Sequence, residues 1–278
     1  MEYSKYLVIL MFFLSMGASA QSQHEADYHG YANSIRLGSG RATVYEYDWS
    51  RHEYRTYTDN YDIVEDHGVP FIEFVATKQR WLSLLSPYFA TIYKSETEPF
   101  FQGTGSVRGF EYLIVGRFSA TSSLTEGGAS YRAENLRSDA PSKPWVEGAE
   151  GSGIGEKVTV DWLWKKGQGG ATGAIIISSG FVSYDKPYLY EMNNRPKTLR
   201  IADPSTGSSF DVTLEDTPNP QVFFLSAPPE ISEIEILSVY PGTKWNDTCI
   251  NYIRGLEWGE AQQLRSLMDK VPTIPDAE

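Results

Sequence analysis

The sequence has few of the residues that usually mark redox-active, metal-binding or nucleic-acid-binding proteins. Its 278 residues include a single cysteine, Cys249, so an intramolecular disulfide is excluded. Lysine and arginine total 24 against 36 acidic residues, and the net charge of -12 argues against nucleic acid and anionic membrane surfaces as partners. The four histidines fit neither a helical pair nor a compact zinc pattern; they are His24, His29, His52 and His67.

The motifs of common catalytic sites are also missing. There is no GxSxG elbow and no Walker loop, and no histidine follows His67. The glycines at 151, 153 and 155 lack both the GxGxxG spacing and a strand–turn–helix context. Cys249 is predicted to be a buried structural thiol. We therefore expect a protein that is not an enzyme and holds no cofactor or metal, with catalysis in the N-terminal half as the less favoured alternative.

The first 20 residues are typical of a secretory signal peptide. Lys5 precedes an apolar run, YLVILMFFL, and Ala18-Ser19-Ala20 offers a small-residue cleavage site after Ala20. The run is too short to span a bilayer, so no membrane span is expected after cleavage. A single cysteine in an exported chain favours a bacterial protein, secreted or periplasmic.

Short runs of alternating apolar and polar residues dominate the rest of the N-terminal half. Residues 41–106 are predicted to form a small antiparallel β domain, with a polar lead-in at 21–40 and a glycine-rich linker at 103–109. Within the domain, Tyr54, Tyr57 and Tyr61 are interpreted either as the lining of a ligand groove or as ordinary strand packing. The predicted strands are Thr43–Tyr47, Phe71–Val75, Trp81–Leu85 and Phe89–Tyr93.

The second half, residues 107–258, contains further short strands separated by turns. The apolar run Ala174–Ile177 is continuous and β-branched, which predicts a central strand buried on both faces. After it, residues 259–278 are predicted to form a short amphipathic helix and a tail, because Leu264, Leu267 and Met268 share one helical face.

Four blocks in this half carry a family resemblance. In order they are NLRSDAPSKPWVEGAEGSGIGE (135–156), GFVSYDKPYLYEMNNRPK (180–197), LEDTPNPQ (214–221) and SVYPGTKWNDTCINYI (238–253). With them, residues of about 118–253 resemble the NADase-type glycan-binding domain family, which is similar to discoidin-like, galactose-binding jelly rolls. The resemblance implies a jelly-roll β-sandwich after the small β domain, and an all-β protein overall. Because no segment resembles the NADase enzyme itself, it implies binding without catalysis.

The function expected from this resemblance is carbohydrate binding outside the cell or at its envelope. A glycan or cell-surface polysaccharide is the expected partner. The alternative is an envelope structural or protein–protein interaction module, in which the sandwich loops bind another envelope protein. Aromatic rings stack on the apolar faces of sugars, while amide, guanidinium and carboxylate groups satisfy sugar hydroxyls. The residues expected to do so are Tyr184, Tyr188, Tyr190, Asn193, Arg195, Trp145 and Glu147.

A structural interpretation of the same residues stays open. Asn193-Asn194 would then form a turn with left-handed backbone angles, Arg195 would pair with a carboxylate, and the tyrosines would cover the edge of the sandwich. Trp145 is also expected to cap the sandwich core, above glycines that let the chain turn sharply. Calcium, which similar sandwiches carry, is disfavoured because Ser138 and Tyr252 stand where acidic ligands are expected.

Overall fold

The computed structural model describes residues 26–30, 32–101, 105–107, 113–114, 116–163 and 170–268. Within these ranges the chain forms two packed β units with two short α-helices, so the predicted all-β class is confirmed. The predicted signal peptide lies outside the described residues. Across the described ranges, no helix is both long enough and apolar enough to cross a membrane.

The N-terminal unit is a closed barrel of eight antiparallel strands. Each strand pairs with the next along the chain, and the last strand pairs with the first at Tyr28 and Val107. The interior is filled by apolar side chains, including Tyr28, Ile35, Val44 and Trp81. The strands are β1 (Ala26–His29), β2 (Ser34–Gly38), β3 (Arg41–Asp48), β4 (Glu53–Asp66), β5 (Val69–Phe74), β6 (Arg80–Leu85), β7 (Phe89–Tyr93) and β8 (Gly105–Val107).

Three of these strands lie where the sequence predicts irregular chain. Strands β1 and β2 fall in the predicted lead-in, and β8 falls in the predicted linker, so those two predictions are wrong. The glycine in β8 has a packing reason, because a Cβ on Gly105 would lie 2.5 Å from the Phe101 ring. Strands β1 and β8, with four and three residues, give too short an alternation to be distinguished from loop.

The C-terminal unit is a sandwich of two sheets. One sheet has the strand order β10-β14-β19-β16-β17; the other has the order β13-β20-β15-β18, with β9 also paired to β20. A separate hairpin is formed by β11 and β12, and a 3-10 helix spans Ala133–Arg137. The strands are β9 (Leu113–Ile114), β10 (Arg117–Ala120), β11 (Thr125–Glu126), β12 (Ala129–Ser130), β13 (Trp145–Val146), β14 (Lys157–Asp161), β15 (Thr172–Ser179), β16 (Arg195–Asp203), β17 (Ser208–Thr213), β18 (Gln221–Phe224), β19 (Ile231–Tyr240) and β20 (Cys249–Glu257), and the helices are α1 (Tyr188–Met192) and α2 (Trp258–Met268).

Strand β15 is buried on both faces, as the sequence predicts. Ile175 and Ile177 point into the sandwich core, where they join Trp145. Ala174 and Ile176 point the other way, into a second cluster that includes barrel side chains. The barrel therefore covers the outer face of this sheet.

The interface between barrel and sandwich is a hydrophobic core of its own. From the barrel it takes Phe71 and Leu82, and from the sandwich Tyr252 and Leu256. Helix α2 also contributes to this cluster through Ala261 and Leu264, which confirms the predicted C-terminal helix. The predicted division of the chain at residue 107 stays a prediction, but a sandwich without the barrel would expose this apolar face to water.

The interface predicts that the two units unfold together. Phe71 is fully buried, its ring stacks edge-on to Tyr184 with centroids 5.6 Å apart, and the Arg80 guanidinium lies over it at 3.7 Å. We expect Phe71→Ala to lower the free energy of unfolding by about 3–5 kcal/mol, because a large ring leaves a packed core. Hydrogen exchange measured by mass spectrometry should show faster opening in the sandwich strands as well as in the barrel.

Ile63→Ala is the matched control, because Ile63 lies on the same barrel with 41% of its surface exposed. A surface change of this kind usually shifts stability by less than about 0.5 kcal/mol. Faster exchange confined to the barrel in Phe71→Ala would show that the units open independently.

Candidate functional site

The four sequence blocks converge at one end of the sandwich. Four loops lie at this end of the strands, because the strands that they connect run antiparallel; they are 121–156, 180–194, 214–220 and 241–248. We call this end of the sandwich, with its four loops, the loop end. Candidate binding residues from distant parts of the sequence are thereby brought together.

Asn194 ties two of these loops to each other. Its side-chain oxygen accepts a hydrogen bond from the Gly242 amide at 2.7 Å, and its amide nitrogen donates to the carbonyl of Asn246. Its backbone N–H donates to the Asp247 carbonyl at 3.0 Å. Asn193 has φ −99°, so the left-handed turn considered from the sequence is not formed. Instead, the Asn193 side chain donates to the Leu189 carbonyl at 2.8 Å and closes helix α1.

Arg195 is held by the protein itself. Its guanidinium donates twice to the Asp216 carboxylate, at 2.6 and 2.9 Å, and also donates to the carbonyls of Tyr190 and Asn193. The side chain is largely buried, and each of its three guanidinium nitrogens donates at least one of these bonds. The structural alternative for Arg195 is therefore the one found, and the expectation that it contacts a sugar is corrected.

Tyr190 is also unavailable to a ligand in this arrangement. Only 3% of its surface is exposed, its ring belongs to the barrel–sandwich interface, and its hydroxyl lies 3.3 Å from Asp216. Burial raises the pKa of its hydroxyl far above the ordinary value. The expectation that this ring stacks on a sugar is corrected for the same reason.

Tyr184 and Tyr188 face the barrel. The Tyr184 hydroxyl donates to the Arg80 carbonyl at 2.6 Å, and its backbone N–H donates to Glu96 at 2.7 Å. The Tyr188 ring is partly exposed and lies edge-on to His67, with centroids 6.4 Å apart. Of the three tyrosines predicted to bind sugar, Tyr184 and Tyr188 are partly exposed and Tyr190 is buried. That Tyr184 and Tyr188 contact a sugar stays a prediction.

Trp145 and Glu147 are both fully buried. Trp145 caps the sandwich core as predicted, and its indole N–H donates to the Ser122 carbonyl at 3.0 Å. Glu147 accepts hydrogen bonds from the backbone N–H groups of Ala149, at 2.7 Å, and Thr248, at 3.3 Å. The expectation that these two residues contact a sugar is corrected, because neither presents a surface to solvent.

The glycine run is shaped around Glu147. Gly151, Gly153 and Gly155 all have positive φ, which confirms the predicted sharp turn. A Cβ on Gly153 would lie 2.6 Å from the Glu147 Cγ. The Glu147 carboxylate links the loop that carries the glycines to the loop that ends at Thr248. In the described part of the chain, no three His, Cys, Asp or Glu side chains are grouped to hold a metal ion.

The accessible part of the loop end is a different set of residues. Tyr131 is partly exposed, stacks edge-on to Phe181 with centroids 5.6 Å apart, and belongs to a small cluster with Leu189. Trp245 is also partly exposed and donates its backbone N–H to the last residue of α1. We call Glu126, Tyr131, Leu189, Trp245 and Asp247 the loop-end surface. The one sequence signal for it is an isolated tryptophan inside the polar turn PGTKWND.

Asp247 is the chemically distinctive member of the loop-end surface. Its pKa is raised, first by burial and then by the nearby negative charge of Glu126. Within the described residues, no donor side chain pairs with its carboxylate. The group is a partly desolvated acceptor beside aromatic rings.

Comparison with known proteins identifies the second half of the chain. A family model described as NAD glycohydrolase translocation F5/8 type C domain matches residues 111–254, just over half of the chain. The chain belongs to this family. The matched residues include all four blocks. A comparison with curated proteins finds no match.

Two solved structures are similar to this chain. One contains the CBM32-1 and CBM32-2 domains of Clostridium perfringens ZmpB in complex with GalNAc, with 11% identity and a TM-score of 0.35; the match covers 52% of this chain. The chain spans only 33% of the length of that clostridial structure. The other is a fragment from Bacteroides thetaiotaomicron that carries the name chitobiase, with 10% identity, a TM-score of 0.34, and coverage of 46% of this chain and 75% of the fragment.

The buried and accessible tyrosines of this family member should respond differently to truncation. We expect Tyr190→Ala to lower the free energy of unfolding by about 3–5 kcal/mol, because a fully buried ring leaves a cavity. Tyr188→Ala, the matched control two residues away on α1, should change it by less than about 1 kcal/mol. Urea denaturation of both variants measures the difference, and equal effects would contradict the packing described above.

Glu147 predicts a pH dependence of stability. Burial raises its pKa above the ordinary 4.5, so the folded protein binds the proton more tightly than the unfolded chain. The contribution of this residue to stability is therefore greatest at acid pH and declines as pH rises from about 4.5 through the raised value. We expect Glu147→Gln to remove this part of the pH dependence. Urea midpoints of wild type and variant at pH 5 and pH 7.5 would measure it, and parallel profiles would contradict it.

Proposed function

We propose that the loop end is a non-catalytic binding site for a neutral carbohydrate. The observation that carries this proposal is the partly desolvated carboxylate of Asp247, for which the described residues offer no donor side chain, at the same end of the sandwich as the partly exposed rings of Tyr131 and Trp245. The Lys244 ammonium lies 4.3 Å from the Trp245 ring centroid and covers one face of that ring, so the other face is the one left for a ligand. A sugar presents an apolar ring face and several hydroxyl donors. An aromatic ring with a carboxylate acceptor beside it satisfies both parts of such a ligand.

The loop-end surface is also held in one shape before any ligand arrives. Tyr131 donates its backbone N–H to Leu124, and Val146 donates its own to Tyr131. Asn194 fixes the loop that carries Trp245 and Asp247. Because the groups are already ordered, binding costs little conformational entropy.

Charge favours a neutral ligand. Glu126 and Asp247 place two carboxylates on this surface against the one ammonium of Lys244 over the Trp245 ring, and the chain as a whole carries a net charge of -12. An anionic glycan, such as a uronate or sulfated polymer, would be repelled. The family relationship is consistent with carbohydrate binding, and the protein-interaction alternative has no comparable observation in its favour.

A glycan array probed with the whole protein and three variants tests this proposal. We expect Tyr131→Ala and Asp247→Asn each to weaken binding by roughly 5- to 100-fold, by analogy with the stacking and charge-assisted hydrogen bonds that they remove. Leu163→Ala is the matched control: Leu163 is a large apolar residue, 50% exposed, at the opposite end of the sandwich. The Leu163→Ala variant should bind the glycan as tightly as the wild type does.

Two results would contradict the proposal. The first is a wild-type protein that binds no neutral glycan on the array. The second is a bound glycan whose affinity is unchanged in both loop-end variants while their melting temperatures match that of the wild type.

We propose further that the protein acts outside the cytoplasm of a bacterium. This proposal is supported by residues 1–20, in which a basic residue precedes an apolar run and a small-residue cleavage site. This proposal requires a mature N-terminus at Gln21. An envelope or extracellular location would place the loop end among cell-surface polysaccharides.

A further inference from the structure

The outer surface of the barrel has two unlike halves. The half formed by β5, β6 and β7 is apolar and packs on the sandwich through residues such as Phe71, Leu82 and Tyr93. None of the described side chains of β3 and β4 belongs to this interface cluster, and the outward face of these two strands is rich in aromatic and hydroxyl side chains. Tyr47 pairs with Tyr54 across the two strands, and Tyr45 pairs with Thr56.

We call Tyr45, Tyr47, Trp49 and Tyr54 the aromatic strip. Tyr47 lies at its centre, with ring centroids 4.7 Å from Trp49 and 5.0 Å from Tyr54, both in edge-to-face geometry. Trp49 and Tyr54 are among the most exposed large side chains of the described residues, at 57% and 62%. Directly opposed residues on a β-ribbon share one face, so the strip forms a single surface.

The hairpin that carries the strip is held by hydrogen bonds at its tip. Asp48 accepts hydrogen bonds from the Ser50 backbone N–H at 3.0 Å and from the Ser50 hydroxyl at 2.6 Å. These contacts hold the pKa of Asp48 below its ordinary value. The Tyr47 backbone N–H donates to the Asn33 side chain at 3.0 Å, which ties the strip to the neighbouring loop. Exposed rings on a fixed backbone offer contact area at low entropic cost.

The cations nearest the tip of the strip are already paired. Arg51 and Arg55 both pair with Asp48, and Arg36 pairs with Asp27 at 2.7 Å. A phosphate, a nucleic acid or an anionic lipid surface would need a cluster of unpaired cations. Among the described residues of this face, Arg41 is exposed without an ion pair, but it lies at the start of β3, away from the hairpin tip that carries Trp49. The chemistry that remains is a neutral ligand with apolar faces and hydroxyl groups.

We propose that the aromatic strip is a second carbohydrate-binding site, which takes a neutral polysaccharide chain along the β3–β4 ribbon. The sugar faces stack on Tyr47, Trp49 and Tyr54, and the exposed hydroxyls of Thr56 and Thr58 lie on the same ribbon face to contact the sugar hydroxyls. The site lies on the barrel and shares no residue with the loop end. The proposal therefore does not depend on the function proposed for the sandwich.

Native gel electrophoresis of the whole protein through gels cast with neutral polysaccharides tests this site. The probes are dextran, xylan, galactomannan and arabinogalactan. We expect at least one of them to retard the wild type, and Trp49→Ala and Tyr54→Ala to weaken that retardation by about 5- to 100-fold in apparent dissociation constant. Trp49→Phe keeps an aromatic face and should restore most of the binding. Melting temperatures should stay close to that of the wild type, because both rings are exposed.

The loop-end variants separate the two sites. Retardation lost in Trp49→Ala and kept in Tyr131→Ala supports the strip whatever becomes of the loop end. Retardation lost only in Tyr131→Ala overturns the strip and supports the loop end. The proposal is also overturned if no polysaccharide retards the wild type, or if Trp49→Ala abolishes binding to anionic phosphatidylserine vesicles instead.

Discussion

The structure depends on the burial of one sheet on both of its faces. Strand β15 sends Ile175 and Ile177 into the sandwich core, and Ala174 and Ile176 into the interface with the barrel. Fully burying an aliphatic side chain stabilises a protein by about 1.5–3 kcal/mol, so each face carries a substantial share of the stability. A sheet with two apolar faces needs a cover on each side. The barrel and helix α2 supply the second cover.

This constraint also decides which tyrosines can reach a ligand. Docking the barrel draws the 180–194 loop onto it, where Glu96 accepts hydrogen bonds from the backbone of Tyr184 and Asp185. Tyr190 and Arg195 then become interior groups satisfied by Asp216. The part of the loop end that stays accessible lies around Tyr131 and Trp245.

The local sequence pattern predicts the elements that are determined by interactions between residues close in the sequence. The continuous run in β15, the helical spacing of Leu264, Leu267 and Met268, and the glycine turn around Gly153 each carry their own signal. Strand β19 shows the limit of such patterns. Ser232 faces the core because it accepts a hydrogen bond from the Trp162 indole at 2.9 Å, a partner 70 residues away.

The misassigned site residues share the same physical reason. Whether Arg195 binds a sugar or a carboxylate depends on Asp216, which another loop brings beside it, so the sequence left both interpretations open. The burial of Tyr190 depends on a separate unit of the chain. Composition and spacing identify residues able to bind a sugar, but long-range packing determines which of them remain exposed.

The hydrogen bonds of the tyrosine hydroxyls give a physical criterion that separates structural tyrosines from tyrosines available to a ligand. Tyr28, Tyr184 and Tyr240 donate to backbone carbonyls at 2.6–2.9 Å, so their polar ends are satisfied within the fold. No hydrogen-bond partner for the hydroxyls of Tyr54 or Tyr131 exists among the described residues, and both rings keep a solvent-facing side. A satisfied hydroxyl on a buried ring is a structural device. An unsatisfied hydroxyl on a rigid, exposed ring keeps both its polar end and its apolar face for a ligand. By this criterion, Tyr131 at the loop end and Tyr54 in the aromatic strip are among the described rings that remain available to a ligand.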